Sequence, residues 1–232
     1  MIVSITQPAY LPWAGYFDRI ARSDLHIVLD SVPLQRGSRD RFTNRNRIRT
    51  PQGSQWLTIP VRTPSGQQPL IRDVVIDSSQ RWQARHLGAL VANYSRSAYF
   101  GEHAEWFESF YQHRWTRLTD VIEFSTDYLL DVLGIPTRRI TSSDLRAQGA
   151  KSEYLLALCQ EVGADVYLSG PLGREYLDTG AFEGAGISIE YHEYNIPAYV
   201  QAFPGFVPNL SVVDLIANHG EMSSSILQGN TA

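Results

Sequence analysis

The sequence predicts an α/β fold in which a mostly parallel, Rossmann-like sheet of βα units carries a helical insertion around residues 80–134. Three observations support this prediction. The first thirty residues read as strand, helix and strand, which is a βαβ unit and implies parallel pairing. The same alternation returns after residue 134. The segment between these two regions has apolar residues at helical spacing.

The opening βαβ unit is predicted from the spacing of its apolar residues. Residues 2–6 are a short run rich in Ile and Val, which is typical of a buried strand. Residues 11–22 place apolar side chains on one helical face, at Trp13, Tyr16, Phe17, Ile20 and Ala21. Residues 25–29 form a second apolar run, which ends at Asp30. Because a helix joins the two strands, we expect them to pair in parallel.

The segment from residue 31 to residue 76 is expected to contain loops and short strands. It begins with a basic stretch, read as a loop followed by a strand or short helix, that contains Arg36, Arg39, Arg41, Arg45, Arg47 and Arg49. Residues 56–61 and 71–76 are strand candidates, separated by a turn-rich connection. We expect these two strands to form an antiparallel pair at an edge of the sheet.

Residues 80–133 are predicted to be helical. An apolar stripe recurs every four residues in the first helix, at Trp82, His86, Leu90 and Tyr94. Two further helices follow, through residues 106–111 and 118–133, and Gly134 is expected to end the last of them. This segment is the predicted insertion between the two α/β regions.

The β/α alternation continues to the end of the chain. Strands are predicted over residues 135–141, 165–169 and 187–191. Helices are predicted over residues 151–162, 173–182 and 211–218. Ser211 is the expected N-cap of the last helix, and Asp214 gives it an acidic first turn. We expect a single domain of residues 1–220 and a flexible tail of residues 221–232, because that tail is small and polar.

Composition and charge narrow the class of function. Of the 232 residues, 20 are Lys or Arg and 24 are Asp or Glu, and the net charge of −4 argues against a nucleic-acid-binding domain. The hydrophobic content of 43% is that of a globular protein rather than a disordered chain. No apolar run approaches the length of a membrane span, and the N-terminus does not resemble a signal peptide. We therefore expect a soluble, cytoplasmic protein with a small-molecule substrate and no nucleic-acid or membrane partner.

Cysteine and histidine usage argues against a metal site. The single cysteine, Cys159, excludes an intrachain disulfide and a zinc site built on cysteines, and we expect it in the core. No two of the six histidines are four residues apart. Motifs for binding ATP phosphates or dinucleotides are also absent. The sequence therefore predicts neither a metal nor a cofactor.

Residues 7–17 form the densest group of polar and aromatic side chains. They join the first strand to the first helix, which is where parallel sheets bind ligands. Gln7 and Tyr10 offer hydrogen bonds, Trp13 offers a stacking surface, and the N-terminus of the helix favours an anion. The alternative is a turn that prolines make rigid and that packs aromatic side chains into the core.

Two further clusters carry residues suited to binding. In residues 44–47 the two asparagines are suited to orienting a ligand, and the two arginines are suited to gripping a carboxylate or phosphate. A solvated basic strand edge is the alternative there. Residues 169–176 follow a strand and are suited to cradling an anion with backbone N–H groups, unless they form an ordinary βα turn.

His86 is the candidate general base, because no better base is evident, although its position on an apolar stripe equally suits a structural role. Asp214 is suited to orienting a base or to pairing with Arg45. The predicted catalytic residues are His86, Tyr10, Asn44 and Asp214. The predicted substrate-binding residues are Gln7, Trp13, Tyr16, Asp30, Arg45, Asn46, Arg47, Ser169, Gly170, Tyr176, Gln201, Asn209 and Ser211.

Together these segments resemble the WbqC-like protein family, in order and over almost the whole chain. The matching pieces include Gln7-Pro8-x-Tyr10-Leu11-Pro12-Trp13-x-Gly15-Tyr16-Phe17, Asn44-Arg45-Asn46-Arg47-Ile48, Tyr167-Leu168-Ser169-Gly170 and Pro208-Asn209-Leu210-Ser211-Val212-Val213-Asp214. Members of this family occur in gene clusters for surface polysaccharides and other biosynthetic products, and a glycine or aminoacyl transferase role has been suggested for them. The chain departs from the family pattern at Ser31 to Arg41, where it reads Val32-Pro33-Leu34-Gln35-Arg36, and Arg36 is the candidate replacement for the lysine that the family usually has there.

The residues and the resemblance predict an acyl, aminoacyl or glycyl transferase. It would form an amide from an amine and an activated donor, such as a thioester held on a carrier protein. His86 would deprotonate the amine. Tyr10, Asn44 or backbone N–H groups near Ser169 would stabilise the oxyanion, and the arginines of residues 44–47 would hold an anionic handle.

Two other functions remain open. A nucleotide-using enzyme would activate a carboxylate or transfer a nucleotidyl group. The strand followed by residues 12–16 is similar to the corresponding part of nucleotidylyltransferases, with Tyr16 in place of a histidine. A non-catalytic binding or scaffold protein of a biosynthetic pathway is the third possibility.

Overall fold

A computed structural model describes residues 1–35, 42–62 and 68–229, and it has the predicted α/β architecture. The strands in these ranges are β1 (Ile2–Thr6), β2 (Leu25–Val28), β3 (Arg45–Thr50), β4 (Gly53–Thr58), β5 (Val61–Arg62), β6 (Val75–Ile76), β7 (Arg138–Thr141), β8 (Val166–Ser169) and β9 (Ser188–Tyr191). The helices are α1 (Ala14–Ala21), α2 (Trp82–Tyr94), α3 (Phe100–Gln112), α4 (Leu118–Val132), α5 (Lys151–Val162), α6 (Thr179–Gly184), α7 (Val212–His219) and α8 (Met222–Leu227). No helix of these ranges is both long enough and apolar enough to cross a bilayer.

Five of the strands form the central sheet in the order β7-β2-β1-β8-β9, and every neighbouring pair is parallel. β1 lies in the middle, where Val3 is opposite Leu25 of β2 and Tyr167 of β8. The chain extends the sheet in one direction through β2 and β7, and then returns to add β8 and β9 on the other side of β1. This reversal leaves a crevice at the carboxyl ends of β1 and β8.

The first βαβ unit confirms the prediction made from its apolar spacing. The chain leaves β1 at the carboxyl edge of the sheet and returns through α1 before entering β2. α1 therefore begins at the carboxyl edge and runs antiparallel to the strands. It buries Tyr16, Phe17 and Ile20.

The predicted helical insertion is also confirmed, because α2, α3 and α4 lie between β6 and β7. These helices pack with α7 and with two small antiparallel pairs, β3–β4 and β5–β6, around the larger of two apolar cores. The smaller core lies between the central sheet and the helices α5 and α6. Cys159 is buried there as predicted, and burial raises the pKa of its thiol to about 12.

Two details differ from the sequence prediction. Residues 56–61 are not a single strand, because they are divided between β4, which pairs with β3, and β5, which pairs with the short β6. Neither pair belongs to the central sheet. The helix expected over residues 173–182 is divided into a 3-10 helix (Pro171–Glu175) and α6. The Asp178 carboxylate accepts a hydrogen bond from the Ala181 N–H at 3.1 Å, and this N-cap starts a new helix in the middle of the expected one.

Within the predicted flexible tail of residues 221–232, residues Met222–Leu227 form α8. Its last two residues, Ile226 and Leu227, are buried against the larger core. The Tyr194 hydroxyl donates a hydrogen bond to the Leu227 carbonyl at 3.1 Å. Two adjacent apolar side chains are therefore enough to hold a short helix that its polar composition did not predict.

His26 is a buried histidine in β2, between β7 and β1. Its Nδ1 lies 2.8 Å from Ser4 Oγ and its Nε2 lies 3.2 Å from Thr6 Oγ1, both on β1. Burial, followed by the positive charges of Arg139 and Arg19, lowers the pKa of His26 to about 3. The folded protein therefore keeps this ring neutral at pH values where the unfolded chain binds a proton.

We expect His26 to make the fold sensitive to acid. Its contribution to stability is complete above the unfolded pKa of about 6.5 and is lost as the pH falls toward the folded value, by up to about 1.4 kcal/mol per pH unit. His26→Gln should therefore reduce the slope of unfolding free energy against pH, measured by urea unfolding between about pH 7 and pH 5. The exposed His113→Gln is the matched control and should keep the parent slope. An equal slope in both variants would contradict this assignment.

Candidate functional site

A cavity of about 420 Å³ lies at the carboxyl ends of β1 and β8, where the strand order reverses. We call it the switch-point cavity. The predicted binding residues that line it are Gln7, Trp13, Tyr16, Gly170 and Tyr176. The polar segment after β1 and the turn after β8 therefore face one cleft, as their positions at neighbouring strand ends predicted.

A second cavity of about 1420 Å³ adjoins the first, at the carboxyl ends of β2 and β7. We call it the serine cavity, because Ser31, Ser142 and Ser143 lie in its wall. The two cavities share Gln7, Leu29, Gln35, Leu155 and Tyr176. Since they have these walls in common, we treat them as one crevice along the carboxyl edge of the sheet.

The crevice is lined by cations. Arg19 lines the switch-point cavity, and Arg72, Arg146 and Lys151 line the serine cavity. Among the described residues that line either cavity there is no Asp or Glu. Because the whole chain carries a net charge of −4, this positive charge runs against the average of the molecule and favours an anionic ligand. In the part of the chain that the structure describes, no group of three His, Cys, Asp or Glu side chains could hold a metal ion.

Arg19 enters the switch-point cavity from α1. Side chains of a helix tilt toward its N-terminus, and the N-terminus of α1 is at the carboxyl edge of the sheet. Arg19 lies three residues after Tyr16, so the two side chains share one face of the helix. Its guanidinium lies against Gly170, where an added Cβ would be only 3.0 Å from Nη1. The glycine therefore makes room for the guanidinium.

The Asp30 carboxylate is buried behind the wall of the serine cavity, just beyond the end of β2. One of its oxygens accepts hydrogen bonds from Ser142 Oγ at 2.9 Å and from the Ser143 N–H at 3.0 Å. The other accepts a hydrogen bond from Ser143 Oγ at 2.7 Å. These three donors fix the orientation of the carboxylate.

A series of hydrogen bonds connects the wall of the cavity to Asp30, and each hydroxyl in the series donates toward Asp30. Since Ser142 donates its hydroxyl proton to Asp30, the Ser31 hydroxyl donates to Ser142 Oγ, at 2.5 Å. The Tyr154 hydroxyl in turn donates to Ser31 Oγ at 2.6 Å. We call Ser31, Ser142 and Asp30 the hydroxyl chain. It is arranged to pass a proton from the wall of the cavity to a buried carboxylate.

The structure does not bring His86 or Tyr10 to the crevice. The Thr58 carbonyl can only accept, so His86 Nε2 donates to it, at 3.2 Å, and His86 Nδ1 accepts from the Tyr10 hydroxyl at 3.0 Å. The Tyr111 hydroxyl donates to Tyr10 at 2.6 Å. Burial lowers the pKa of His86 to about 4. With both ring nitrogens engaged in a buried network, the geometry of His86 fits the structural alternative.

The two asparagines of residues 44–47 also form hydrogen bonds to the backbone of the protein scaffold. Asn44 Nδ2 donates to the Ile59 carbonyl at 2.8 Å. Asn46 Nδ2 donates to the Leu11 carbonyl at 2.7 Å. Leu11 has a left-handed backbone, with φ of 42°, which is costly for a leucine. Asn46 therefore holds the turn that follows β1, and neither asparagine lines the crevice.

The two arginines of residues 44–47 lie on the β3–β4 hairpin, outside the crevice. Arg45 Cζ is 4.3 Å from the ring centre of the exposed Trp56, and Arg47 Cζ is 5.6 Å from it. Phe42 has ring contacts with Trp56 and with Trp13, at centroid distances of 5.9 and 5.0 Å. An aromatic row therefore runs from the switch-point cavity to a basic surface beside it.

Asp214 is the buried centre of a second scaffold network. It accepts hydrogen bonds from the hydroxyls of Tyr94 at 3.0 Å and Tyr199 at 2.8 Å, and from Gln201 Nε2 at 2.9 Å. Burial raises the pKa of Asp214. Gln201 also accepts from Arg49 Nε at 3.2 Å. Neither Asp214 nor Gln201 lines the crevice, and the network ties the C-terminal segment to β3 and α2.

The remaining predicted residues shape local structure. Ser211 is the N-cap of α7, as predicted, and its Oγ accepts from the Val213 N–H at 3.3 Å. Asn209 is exposed and has a left-handed backbone with φ of 56°, which asparagine tolerates well. Ser169 is buried beneath the switch-point cavity, where its hydroxyl donates to the Gly170 carbonyl at 3.2 Å. Arg36 lies outside the described residues.

Sequence reasoning missed the cations of the crevice and the serines of the hydroxyl chain. Arg19 could have been found, because it follows Tyr16 by three residues on a predicted helix. Ser142 directly follows a predicted strand, as Gln7 and Gly170 do. The cations of the serine cavity had no such signal, since they come from loops and a helix start that only the fold brings together.

Tyr10→Phe tests the structural role of the His86 network. The change leaves the buried His86 Nδ1 and the Tyr111 hydroxyl without partners, so it should lower the free energy of unfolding by about 1–3 kcal/mol. Urea unfolding measures this loss, and Tyr99→Phe at a more exposed site is the control. Ligand binding in the crevice should be unchanged in Tyr10→Phe. Unchanged stability together with impaired ligand binding would instead indicate that the His86 network is part of the binding site.

Comparisons with known proteins give a family. The sequence model of the WbqC-like protein family matches residues 7–226. A protein of Mycobacterium tuberculosis (strain ATCC 25618 / H37Rv) titled "Uncharacterized protein Rv1507c" is 37% identical over 228 residues, which cover 97% of each chain. No solved structure matches the chain significantly.

Proposed function

The chain belongs to the WbqC-like protein family, and from this premise we propose that it is an acyl or aminoacyl transferase that forms an amide in the crevice. The observation that carries the proposal is the pair of adjoining, cation-lined cavities that share Gln7 and Tyr176. Two cavities with a common wall suit two substrates that must meet. Holding both in place supplies much of the rate enhancement that such a transfer needs.

The two cavities differ in what they are suited to hold. Arg72, Arg146 and Lys151 give the serine cavity three positive charges, so it suits a donor with several anionic groups, such as a phosphopantetheine thioester. The switch-point cavity is smaller and its walls are more apolar and aromatic, so it suits the second substrate. The carbonyl and the amine would then meet near Gln7, whose side-chain amide offers an N–H to the developing oxyanion.

The hydroxyl chain takes the place of His86 as the base. The amine nitrogen attacks the thioester carbonyl, a C–N bond forms, and the C–S bond breaks to release a thiolate. The proton that the amine loses passes to Ser31 as Ser31 passes its own to Ser142, and Ser142 passes its proton to Asp30. The same path returns the proton to the thiolate. No oxidant, reductant or further reactant is needed.

The surface of Arg45, Arg47 and Trp56 suits delivery of the donor by a carrier protein. It is basic, it exposes an aromatic side chain, and the aromatic row connects it to the switch-point cavity. Acyl carriers that present an acidic surface would be attracted to it. A nucleotide-using enzyme is the second candidate, because the three cations of the serine cavity are equally suited to a triphosphate.

A thermal-shift panel distinguishes these functions. We expect coenzyme A thioesters, which carry the phosphopantetheine arm, to raise the melting temperature by about 5–11 °C at about 100 times the dissociation constant. The double variant Arg146→Gln/Lys151→Gln should lose most of this shift. Arg81→Gln/Arg96→Gln removes two exposed charges elsewhere and should keep it. A shift with ATP and magnesium alone would favour the nucleotide-using enzyme, and no shift with either would contradict both.

Asp30→Asn tests the hydroxyl chain once the panel has identified a donor. Asparagine keeps the shape of the side chain but cannot accept the proton, so turnover measured by mass spectrometry of the amide should fall by about 10²–10⁴-fold. Ser142→Ala should act alike, and Ser125→Ala, a buried serine of α4, is the matched control. The thermal shift by the donor should persist in all three variants. Full turnover in Asp30→Asn would remove the hydroxyl chain from the mechanism, and binding without turnover in the parent would indicate a scaffold protein.

A further inference from the structure

We infer that the substrate in the switch-point cavity carries an anionic group on an apolar or aromatic body, and that the Arg19 guanidinium binds this group. The inference rests on the proposed function for the presence of a second substrate, and it adds the chemical class of that substrate. It concerns binding alone, so it is tested without turnover.

The first argument is that Arg19 has no partner of opposite charge. Within the described ranges its guanidinium makes no hydrogen bond or ion pair, and its Nε is buried without a partner. Burial lowers the pKa of the Arg19 guanidinium. A buried N–H without a hydrogen-bond partner is costly to the fold. A ligand anion would supply the missing partner.

Two other arginines of this chain show how the guanidinium of a structural arginine finds partners. Arg49 is buried and donates to the carbonyls of Gly53 at 2.8 Å and Pro204 at 2.6 Å. Arg139 is paired with the carboxylate of Glu123 at 3.0 Å and with that of Asp127. Arg19 has neither solution, although it is held against the wall of a cavity. Arg47 Nε and Arg139 Nη1 are also buried without a hydrogen-bond partner, but Arg139 has two carboxylates beside it and Arg47 lies outside the crevice. Arg19 is therefore distinguished by its place in the wall of the cavity.

The side chains around Arg19 leave its charge uncompensated. The titratable side chains that interact electrostatically with Arg19 are those of Tyr167, Tyr16 and Tyr176. Burial raises the pKa of each of these three hydroxyls, so they are neutral at physiological pH and supply no negative charge. Their rings form part of the cavity wall.

The walls of the cavity indicate what the anionic group is attached to. Apart from Arg19 and a few amide, hydroxyl and backbone groups, the lining is apolar or aromatic, and it includes Trp13, Phe42, Leu155 and Leu172. Its volume of about 420 Å³ lies within the usual range for small-ligand pockets. A small body with a flat or branched apolar surface fits these walls, and a free polar sugar does not. The ligand is therefore amphipathic, with one charged end.

A guanidinium binds carboxylates and phosphates with the same paired geometry, so the shared chemistry is a planar or tetrahedral oxyanion. Three probes with a common aromatic body separate the cases. Phenylacetate carries a carboxylate, phenyl phosphate carries a phosphate, and phenylacetamide has the shape of phenylacetate without the charge. Binding to the full-length protein is followed by the shift of the Trp13 indole N–H signal in ¹⁵N-labelled protein, with Trp13→Phe used only to identify that signal.

We expect phenylacetate or phenyl phosphate to bind at least about tenfold more tightly than phenylacetamide, as for a hydrogen bond to a charged group. Arg19→Gln should abolish this preference, and Arg19→Lys should restore part of it. Arg96→Gln removes the same charge from an exposed site and should bind like the parent. Gly170→Ala should also lose the preference, because the new Cβ displaces the end of the Arg19 side chain while the backbone need not move.

Each outcome decides the inference. Preference for the charged probes that disappears in Arg19→Gln supports it, and the relative affinities of the two anions show whether the natural group is a carboxylate or a phosphate. Equal binding of all three probes, or a preference that survives in Arg19→Gln, overturns it. So does the absence of binding up to the solubility limit of the probes. Selective binding by a protein that transfers no acyl group would keep this inference and overturn the proposed function instead.

Discussion

The parallel pairing of β1 with both β2 and β8 is the constraint on which the rest of this structure depends. It places the reversal of strand order in the middle of the sheet, and it brings the segments after β1 and β8 to one edge. The same pairing makes α1 begin at that edge, so Arg19 can reach back to Gly170. The crevice is thus a consequence of topology before it is a consequence of any motif.

Buried charge is treated differently in the scaffold and in the crevice. Asp18 accepts hydrogen bonds from His192 at 2.6 Å and from Arg22 at 2.7 Å, which join α1 to the segment after β9. Burial alone would raise the pKa of Asp18, but these hydrogen bonds hold it below its usual value. Such satisfied groups fix one arrangement of the elements. The crevice instead has four cations in its walls and no Asp or Glu among its described lining residues, and of these cations Arg72 has the Asp73 carboxylate 3.9 Å away.

Most of the fold could be predicted from the sequence, because apolar spacing and helix caps are local signals. β1, α5 and the N-cap at Ser211 follow from such patterns. The site was predictable in part, since a residue that directly follows a parallel strand lies at the carboxyl edge whatever its partners are, as Gln7 and Gly170 do. The apolar stripe of α2 indicates that His86 is buried, but its hydrogen-bond partners Tyr10 and Thr58 were not predictable, because they come from elements distant in sequence.

The residues that stand out in the sequence are mostly those that the scaffold needs. A left-handed turn at Leu11, held by Asn46, and a buried hydroxyl network at Tyr10 require particular side chains, so they form a conspicuous motif. Arg19, which we propose binds a ligand, requires only a position on a helix beside a glycine, and its one sign in the sequence is its spacing of three residues from Tyr16. The segment after β1 contains residues of both kinds, some that line the crevice and some that hold the scaffold. Gln7 lines the crevice, whereas the turn that follows it is held by the buried hydrogen bond from Asn46 to the Leu11 carbonyl, so one short segment serves both the site and the scaffold.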